Sequence, residues 1–440
     1  MRGKIVNYDL WLDRKGLKYE NNELHFAGVK CEDIARKYGT PLYVMSEDIV
    51  RKRYQELKET LNKKYQKNQI HFAVKSNSSL SILRILQSEG SYFDCTSTGE
   101  IHICLKVGIP PDHIIYTGNM FTNQDLEFAV KENVIVNLDS LSQLNRLNNI
   151  YRDLHKERGM ISFRINPEFG AGHHMHTITA GKEIKFGILE DQVIEAYSRA
   201  KGMGFTKFGI HQHIGSGIIN PMDYKKAVEN FLRIIEILIS KLDLKIEFVD
   251  FGGGLGIPYR PSDDPLDLNK YSEIVIDPFK EFFERVDFGE PYLKIEPGRY
   301  ITAESSIILT EVNTIKNNGF KLFAGVDAGF NTLIRPAFYG SYHHIIPCKQ
   351  KSEKQVYDIV GPICESGDVL GKEREISSLN EGAILAILDT GAYGFVMSSP
   401  YNSRPRAAEI LIKNGKCFLI REAESFDDLI RLQSIPNHLK

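Results

Sequence analysis

The amino-acid sequence predicts an α/β protein that consists of a (β/α)8 barrel and a C-terminal all-β domain. From residue 70 onward, short apolar runs rich in β-branched residues alternate with longer stretches of helical periodicity, which is the pattern of βα units with a parallel sheet. Eight units in succession fit a closed barrel better than an open sheet. Beyond about residue 305 the chain changes to short β-like segments separated by Gly, Asn and Pro, which is typical of an all-β domain.

The predicted strands each end where a polar residue or a glycine follows the apolar run. In chain order they are 70–75, 91–96, 114–119, 134–139, 161–166, 208–214, 246–253 and 292–298. Helical periodicity fills the intervals, most clearly at 80–88, 122–132, 140–157 and 224–242. We therefore assign residues 42–305 to the barrel. The first 40 or so residues also carry β-like pieces, and we expect 1–41 and 306–440 to form one β-rich domain.

Composition excludes several classes of function. The chain has 440 residues, of which 42% are hydrophobic and 25% charged, and its net charge is -2, so disorder, nucleic-acid binding and membrane-surface binding are not indicated. The N-terminus lacks the apolar core of a signal peptide, and the best apolar stretch, FLRIIEILI, is far short of the ~20 residues that span a bilayer. These features predict a cytoplasmic protein with a small-molecule partner. The six cysteines show no CxxC pair and no metal-ligand spacing.

Polar residues stand at or just past the carboxyl ends of the predicted strands. In a closed barrel these ends converge on the face that carries the active site in barrel enzymes. An alternative is that polar residues merely mark where strands stop, although eight such endings make this less convincing. The residues are Lys75, Asp94, Asn119, Asp139, Arg164, His213, the glycines after Phe251, and Glu296.

Lys75 is the most informative of these residues because it ends the apolar run HFAV. Desolvating an ammonium group costs several kcal/mol unless it is paired, neutralised or used chemically. A lysine that has lost its proton is a nucleophile, and its most distinctive use is a Schiff base with pyridoxal 5'-phosphate. This hypothesis requires a phosphate site and an acid that faces the pyridine nitrogen of the cofactor.

The sequence offers both. FGGGLG (251–256) and EPGR (296–299) follow the seventh and eighth predicted strands, whose loops commonly bind phosphate in such barrels. Ser216 could donate a hydroxyl from the sixth loop, and Glu296 is the candidate for the pyridine nitrogen. A glycine run alone is more often a turn, and a dinucleotide site would need further glycines that Ile257 and Tyr259 replace.

Two histidine features remain open at this level. His213 could stack on the cofactor ring, although a lone histidine is more often a satisfied core residue. The cluster GHHMH (172–176) suggests a metal, but it lacks carboxylate or thiolate partners at suitable spacing. We expect no metal.

Several longer motifs resemble those of the diaminopimelate decarboxylases, a branch of the alanine-racemase-like enzymes that depend on pyridoxal phosphate. The resemblance runs in order from KYGTPLYVMSED (37–48) to the C-terminal FLIREAESFDDLI. It rests on HFAVKSN, FDCTSTGEI, HQHIGSG, FGGGLGIPY, EPGRYI, IRPAFYGSYHH, CESGD and GAYGFVMSSPYNSRPRAAEIL. The resemblance implies a pyridoxal-phosphate-binding barrel and decarboxylation of meso-2,6-diaminopimelate to L-lysine, the last step of lysine biosynthesis.

The resemblance also implies residue roles. Lys75 would be the Schiff-base lysine and Cys364 the group that protonates the substrate carbon after carbon dioxide leaves. Cys364 and Glu365 would enter the site from a partner subunit, so a homodimer with shared active sites is expected. The other cofactor-binding residues would be Asp94, His213, Ser216, Gly254, Glu296, Gly298 and Tyr393. The substrate-binding residues would be Arg299, Arg335, Tyr339, Glu365 and Tyr393.

The physical chemistry of these residues agrees with the implied substrate. Arg299, Arg335 and Tyr339 suit the capture of a distal carboxylate, and Glu365 suits an ammonium group. Two departures from the family pattern are the loop GHHMHTITAG (172–181), whose effect on substrate contact is open, and Pro400, where a polar residue is expected.

Three alternatives remain. The nearest is an α-decarboxylase of the same fold that acts on ornithine, arginine, D-lysine or carboxynorspermidine. A racemase is disfavoured because CESGD supplies both a thiol and an acid. The third is a non-catalytic relative that only binds the cofactor or a partner protein, which would have no need of Lys75, Cys364 and Glu365 together.

Overall fold

A computed structural model describes residues 8–167, 181 and 184–440. Within these ranges the chain divides into two compact units. The first, here called the β-rich unit, comprises residues up to Val50, Tyr259–Asp263 and Thr302–Lys440, and the second, the barrel unit, comprises Arg51–Pro258 and Asp264–Ile301. No helix in the described ranges combines the length and the apolar character that crossing a bilayer requires.

The barrel unit contains a closed barrel of parallel strands. All eight predicted strands are present, and the first pairs with the eighth to close the barrel. We number them first to eighth in chain order: Asn68–Ala73, Tyr92–Cys95, Ile114–Tyr116, Ile135–Leu138, Ile161–Ile165, Phe208–Gln212, Ile246–Asp250 and Tyr292–Ile295. The prediction of a (β/α)8 barrel is confirmed.

Several helices of the barrel unit begin at a residue whose side chain accepts a hydrogen bond from an N–H group of the first turn. Ser97 accepts a hydrogen bond from the amide of Glu100, and Thr122 forms a reciprocal capping box with Asp125. Both of these two helices end at a left-handed residue, Gly108 and Asn133. The α-helices are Glu47–Lys64, Leu80–Ser88, Thr98–Val107, Asn123–Glu132, Leu141–Asp153, Glu190–Gly202, Lys225–Leu242, Leu268–Arg285 and Arg299–Thr302, of which the first and last cross the unit boundaries.

The β-rich unit is built on one large sheet and a small three-stranded sheet. The large sheet is antiparallel in most of its pairings, with parallel pairs between 42–46 and 408–413 and between 322–326 and 354–360. Along its main path the strands are Val369–Ser377, Lys354–Val360, Leu322–Val326, Ser306–Asn317, Leu42–Ser46, Ala408–Lys413 and Lys416–Arg421. Off this path, Ile384–Leu388 pairs with Ser306–Asn317, and Ile345–Pro347 pairs with Ile384–Leu388. The small sheet contains Leu17–Glu20, Glu23–Phe26 and Val29–Lys30, and the helices are Tyr8–Arg14, Cys31–Tyr38, Arg335–Tyr339 and Phe426–Ile430.

The two ends of the chain contribute to one core in this unit. Trp11, Leu12 and Leu17 belong to the same buried cluster as Ile307 and Ile410, so the N-terminal segment packs on the C-terminal strands. The unit boundary falls later than the one placed at residue 42 from sequence. The reason is that Leu42–Ser46 lies between two strands of the large sheet, Ser306–Asn317 and Ala408–Lys413, and its five residues are all buried.

Candidate active site

Lys75 lies in a single 3-10 turn, Val74–Ser76, immediately after the first barrel strand. Its ammonium group donates to Asp94 at the end of the second strand, with 2.7 Å between Nζ and Oδ2. The side chain of Lys75 is 36% exposed, whereas that of Asp94 is fully buried. Burial and the nearby Glu296 raise the pKa of Asp94 to about 7, although Lys75 acts in the opposite direction. The site therefore holds an accessible amine next to an acid that titrates near neutral pH.

Glu296 follows the eighth strand and is buried at the mouth of the barrel. Thr117 donates to its Oε1 at 3.2 Å, and the ring nitrogen Nε2 of His211 lies 3.1 Å from its Oε2. Burial alone would raise the pKa of Glu296, but His211, Lys75 and His213 outweigh it and hold that pKa well below its ordinary value. Glu296 is thus an ionised carboxylate in a desolvated setting.

The loops after the sixth, seventh and eighth strands approach one another closely. Ile218 and Leu255 form a parallel bridge between the sixth and seventh loops, and a Cβ built on Gly253 would lie only 2.3 Å from the carbonyl oxygen of Glu296. Gly254 has φ +108°, which L side chains rarely adopt. A Cβ on Gly298 would lie 2.8 Å from the side chain of Ser76. Glycine is required at these positions because any larger side chain would clash or be strained, and glycine-rich loops of this kind let backbone amide groups approach an anion closely.

His213 and Arg299 border these loops. The backbone N–H of Gly253 donates to Nδ1 of His213 at 3.0 Å, which makes Nδ1 an acceptor and fixes one tautomer. Burial, together with Arg164 and Lys75, lowers the pKa of His213 well below its ordinary value, so the ring is neutral at pH 7. Arg299 is buried and donates from Nη2 to Oγ of Ser216 at 3.1 Å.

In the β-rich unit, Arg335 opens the short helix Arg335–Tyr339 and is 2% exposed. Its Nε donates to Nε2 of His343 at 3.2 Å, and Nδ1 of His343 lies 2.8 Å from the carbonyl oxygen of Leu388. Because that carbonyl can only accept, His343 carries its proton on Nδ1 and offers Nε2 to the guanidinium group. Arg335 is also 3.4 Å from the hydroxyl of Tyr259, and its guanidinium carbon is 6.0 Å from the ring centre of Tyr339.

Cys364 and Glu365 lie in the loop 361–368, and both are exposed. The amide of Cys364 donates to the side chain of Asn402 at 3.0 Å, and the hydroxyl of Tyr401 donates to Glu365. Asp368 closes the loop by accepting the N–H group of Ile363 at 2.7 Å. The loop thus presents a thiol and a carboxylate side by side.

Tyr393 lies in another turn of the β-rich unit. It is half-buried, and its φ of +57° falls in the left-handed region. The preceding Gly391 is required because a Cβ there would lie 2.0 Å from the carbonyl oxygen of Thr302.

The structure adds residues that were not identified from sequence. His211 and Thr117 contact Glu296 directly, and Asp250 with Lys294 adds two further buried ionisable groups on the seventh and eighth strands. His211 could have been found, because it stands two residues before His213 and side chains two apart in a strand point to the same face. The loop GHHMHTITAG (172–181), considered as a metal site, lies outside the described residues except for Gly181.

The chain is similar to known proteins in both sequence and structure. Residues 47–303 match the family described as "Pyridoxal-dependent decarboxylase, pyridoxal binding domain". The diaminopimelate decarboxylase of Methanothermobacter thermautotrophicus is 46% identical over 96% of this chain and 97% of the relative, and that of Archaeoglobus fulgidus is 40% identical over 94% and 97%. The crystal structure of the Methanocaldococcus jannaschii diaminopimelate decarboxylase in complex with L-lysine has a TM-score of 0.90 and 32% identity, covering 98% of this chain and all of that one.

Proposed function

The chain belongs to the diaminopimelate decarboxylase family of pyridoxal-dependent decarboxylases, and on that premise we propose that it decarboxylates meso-2,6-diaminopimelate to L-lysine and carbon dioxide. The observation that carries this proposal is the 46% identity to the Methanothermobacter relative, which extends over nearly the whole of both chains. Both compact units are therefore shared with that enzyme. The reaction is the last step of lysine biosynthesis.

The barrel residues fit pyridoxal phosphate as the cofactor. They provide an amine with an acid at 2.7 Å, an ionised buried carboxylate and loops in which glycine permits close backbone approach. When bound, the cofactor supplies an electron sink for the electrons released when a bond at the substrate's α-carbon breaks. Substrate binding, substrate orientation and proton transfer depend on side chains of the protein.

Lys75 is the residue we propose to carry the cofactor, with Asp94 as its partner. An amine is a nucleophile only after it loses its proton. Asp94, with a pKa of about 7, can accept a proton from a neighbouring amine and return it within the pH range of the cell. The half-open position of Lys75 allows an incoming substrate amine to approach the same place.

Three groups of residues would orient the cofactor. Glu296, held ionised, would face the pyridine nitrogen and keep its proton in place. His213, whose neutral ring is fixed by Gly253, would pack against the cofactor ring. The remaining residues would surround the phosphate, and they are Ser216, Gly254, Gly298 and Tyr393.

The substrate would be selected at its distal end. Arg299, Arg335 and Tyr339 would bind the distal carboxylate, because a planar guanidinium donates two parallel hydrogen bonds to a carboxylate. His343 supports this role because it accepts from Nε of Arg335 and so orients the guanidinium plane. Glu365 would bind the distal ammonium group, with Tyr393 beside the substrate. Contacts remote from the bond that breaks can hold the scissile carboxylate in the reactive orientation.

We further propose a homodimer in which Cys364 and Glu365 serve the active site of the second copy. Both side chains are exposed in the single chain, although one is proposed to donate a proton to the substrate carbon and the other to bind an ammonium group. Exposed residues with such roles are explained if a second copy covers them. A cytoplasmic location stays a prediction from sequence.

The function is tested by an assay of the purified protein with meso-diaminopimelate. We expect a visible absorbance band from bound pyridoxal phosphate, and release of carbon dioxide and L-lysine in equal amounts. Ornithine, arginine and D-lysine serve as competing substrates. A protein that carries the band but turns over one of these in preference to diaminopimelate would contradict the substrate assignment while leaving the cofactor assignment intact.

Substitution of Arg335 tests the distal carboxylate site. We expect Arg335→Leu to lower kcat/KM for diaminopimelate by roughly 10- to 100-fold, since hydrogen bonds to charged groups contribute about 1.5–3 kcal/mol. The control is Arg431→Leu, which removes an exposed arginine near the C-terminus and should leave kcat/KM unchanged. Equal kinetics for the Arg335 variant and the wild type would remove Arg335 from the substrate site.

A further inference from the structure

Two buried ionisable groups of the barrel form a close cluster with Glu296, His211 on the sixth strand and Asp250 on the seventh. Each is fully buried. One donor or acceptor atom of His211, of Asp250 and of Glu296 lies within 4.8 Å of the other two. Two carboxyl groups at this separation in a desolvated site do not both ionise readily.

The protons of this cluster are divided unequally. Burial, followed by Glu296, raises the pKa of Asp250 well above its ordinary value, so Asp250 is the neutral member of the carboxyl pair. Burial also lowers the pKa of His211, which is therefore a neutral imidazole at pH 7. A neutral imidazole has one N–H, and an ionised carboxylate can only accept. The 3.1 Å contact between His211 and Glu296 is thus a hydrogen bond donated by Nε2.

The remaining polar atoms support this assignment. With the proton on Nε2, the Nδ1 atom of His211 is a bare acceptor, and no hydrogen-bond partner for it exists in the described part of the chain. Oδ2 of Asp250 is likewise buried without a partner there, while Oδ1 accepts the N–H of Gly252 at 2.8 Å. A proton on Oδ2 of Asp250 is compatible with both observations.

We propose that His211 is a positioning residue for Glu296, which it holds as an oriented anion toward the pyridine nitrogen of the cofactor. The proposal rests on the proposed function, because it takes Glu296 to face that nitrogen. Thr117 holds the other carboxylate oxygen, so the two hydrogen bonds together fix the plane of the carboxylate. His211 acts through Glu296 and has no assigned contact with substrate.

The charged groups around His211 come from several strands. Glu296 raises its pKa, whereas Arg164 and Lys75 lower it. Asp250 in turn faces Glu296, Lys294 and Asp94. Loss of His211 removes the 3.1 Å hydrogen bond to Oε2 of Glu296, while the neighbouring carboxyl group of Asp250 remains. Glu296 then takes up a proton more easily, and the ring nitrogen loses the anion that keeps it protonated.

The test uses the holoenzyme reconstituted with pyridoxal phosphate labelled with 15N in its ring. The 15N chemical shift distinguishes a protonated ring nitrogen from a bare one without reference to activity. We expect a protonated nitrogen between pH 6 and 9 in the wild type and in His211→Gln, whose amide keeps an N–H donor. In His211→Leu we expect a bare nitrogen or one that titrates within this range, and a kcat that falls roughly 10- to 100-fold, as for loss of other supporting hydrogen bonds, with KM little changed.

His71→Leu is the matched control. His71 is also a fully buried histidine of the barrel. Its Nε2 atom lies 3.4 Å from Oε1 of Gln69, and in the described part of the chain it forms no hydrogen bond with Glu296. Its ring-nitrogen signal should match the wild type. His211→Ala is prepared in parallel, because a branched side chain could prevent folding, and whichever of the two apolar variants folds is compared with His211→Gln.

A folded, cofactor-loaded apolar variant with a protonated ring nitrogen across the pH range would overturn the proposal. So would a glutamine variant that behaves like the apolar one. The outcome is separable from that of the proposed function: a wild type with a protonated ring nitrogen that forms no lysine would count against the substrate, not against His211.

Discussion

The two compact units bury ionisable side chains in different ways. In the barrel unit, buried acids and bases are numerous and unevenly paired, and several have pKa values far from ordinary ones. In the β-rich unit, the most deeply buried charges form a nearly balanced network. Since an unbalanced buried charge is expensive, its presence in the barrel indicates use in chemistry, whereas the balanced network indicates structure.

The barrel shows the imbalance most clearly around Glu296. Asp94 and Asp250 both have raised pKa values, for which burial is the largest cause. Burial lowers the pKa of Lys294 to about 8, although Asp250 and Glu296 act in the opposite direction. Asp94, with a pKa of about 7, and Lys294 therefore change protonation close to neutral pH, which suits proton transfer.

The β-rich unit pairs its charges by direct contact. Lys15 donates to Glu304 at 3.0 Å and to Asp389 at 2.7 Å, and Arg14 donates to both oxygens of Glu304 at 3.0 and 3.1 Å. The side chains of Lys15 and Glu304 are 1% and 0% exposed. Two cations thus face two anions, and the network joins the N-terminal segment to the strands that follow residue 305.

The largest effect is expected for Lys75→Ala, which should lower kcat by about 10⁴-fold or more, because no other side chain can replace the nucleophilic amine. Steady-state formation of lysine measures this loss. The apo forms of the variant and the wild type should differ little in stability, since Asp94, with its raised pKa, can become neutral once Lys75 is gone. Full activity in the variant would remove Lys75 from the cofactor site.

Stability must be compared without cofactor in this experiment. A ligand that binds only the folded state stabilises it in proportion to its affinity, and Lys75→Ala is expected to weaken cofactor binding. A large difference in stability between the two apo proteins would mean that Lys75 contributes mainly to folding. The contrast between a barrel unit that buries ionisable groups for chemistry and a β-rich unit that buries them for structure would then fail at Lys75.

Lys15→Met should instead lower the free energy of unfolding, by about 3–5 kcal/mol. The reason is that Lys15 is itself fully buried and binds two acids, so its loss leaves both contacts unmade. Asp389, whose pKa burial raises to about 6 although Lys15 acts in the opposite direction, would then be buried without its cation unless it took up a proton. Denaturant unfolding at fixed protein concentration measures the loss. The double variant Lys15→Met, Asp389→Leu removes both charges and should recover most of the stability, because Glu304 keeps Arg14. A single variant as stable as the wild type would show that the network contributes nothing to folding.

The sequence was sufficient for features encoded within short segments. All eight barrel strands are recognisable as apolar runs that end at polar residues, and Lys75 is conspicuous in its own run. Contacts between distant segments were not predictable in the same way. His211 reaches Glu296 across 85 residues and Thr117 reaches it across 179, and both contacts exist only because the barrel closes.

The boundary of the barrel illustrates the same limit. The segment 42–46 is apolar on both faces, as expected for a strand of a parallel barrel as well as for the centre of another sheet. Only its pairing with 306–317 and 408–413 assigns it to the β-rich unit. The hydrogen bond between Arg335 and His343 could not be predicted from sequence either, because the orientation of His343 depends on its contact with the carbonyl group of Leu388.

Glu409 is an exception within the β-rich unit and provides the smallest but most specific test. It is 4% exposed in the strand Ala408–Lys413, while the arginines nearest to it, Arg406 and Arg421, instead bind Glu424 at 2.7 and 3.2 Å. Burial raises the pKa of Glu409 to about 7, although both arginines act in the opposite direction. This acid therefore resembles those of the barrel, without any assigned role in the site.

The sign of its effect on stability follows from linkage. Between pH 4.5 and 7 the folded protein keeps a proton on Glu409 that the unfolded chain has lost, so this group makes the folded state less stable as pH rises. The full effect, about 3 kcal/mol, is reached above pH 7. Glu409→Gln should therefore match the wild type near pH 4.5 and exceed its stability at pH 8, as measured by denaturant unfolding at both pH values.

Glu424→Gln is the matched control, because Glu424 contacts the same two arginines and the expected change in stability at pH 8 has the opposite sign. Hydrogen bonds from Arg406 lower the pKa of Glu424, so its ionised form stabilises the folded state above the pKa of the unfolded chain, and the glutamine variant should be less stable than the wild type at pH 8. If Glu409→Gln also lost stability at pH 8, Glu409 would be ionised and paired in the folded protein. Glu409 would then join the balanced network of the β-rich unit, and the contrast with the barrel would be sharper.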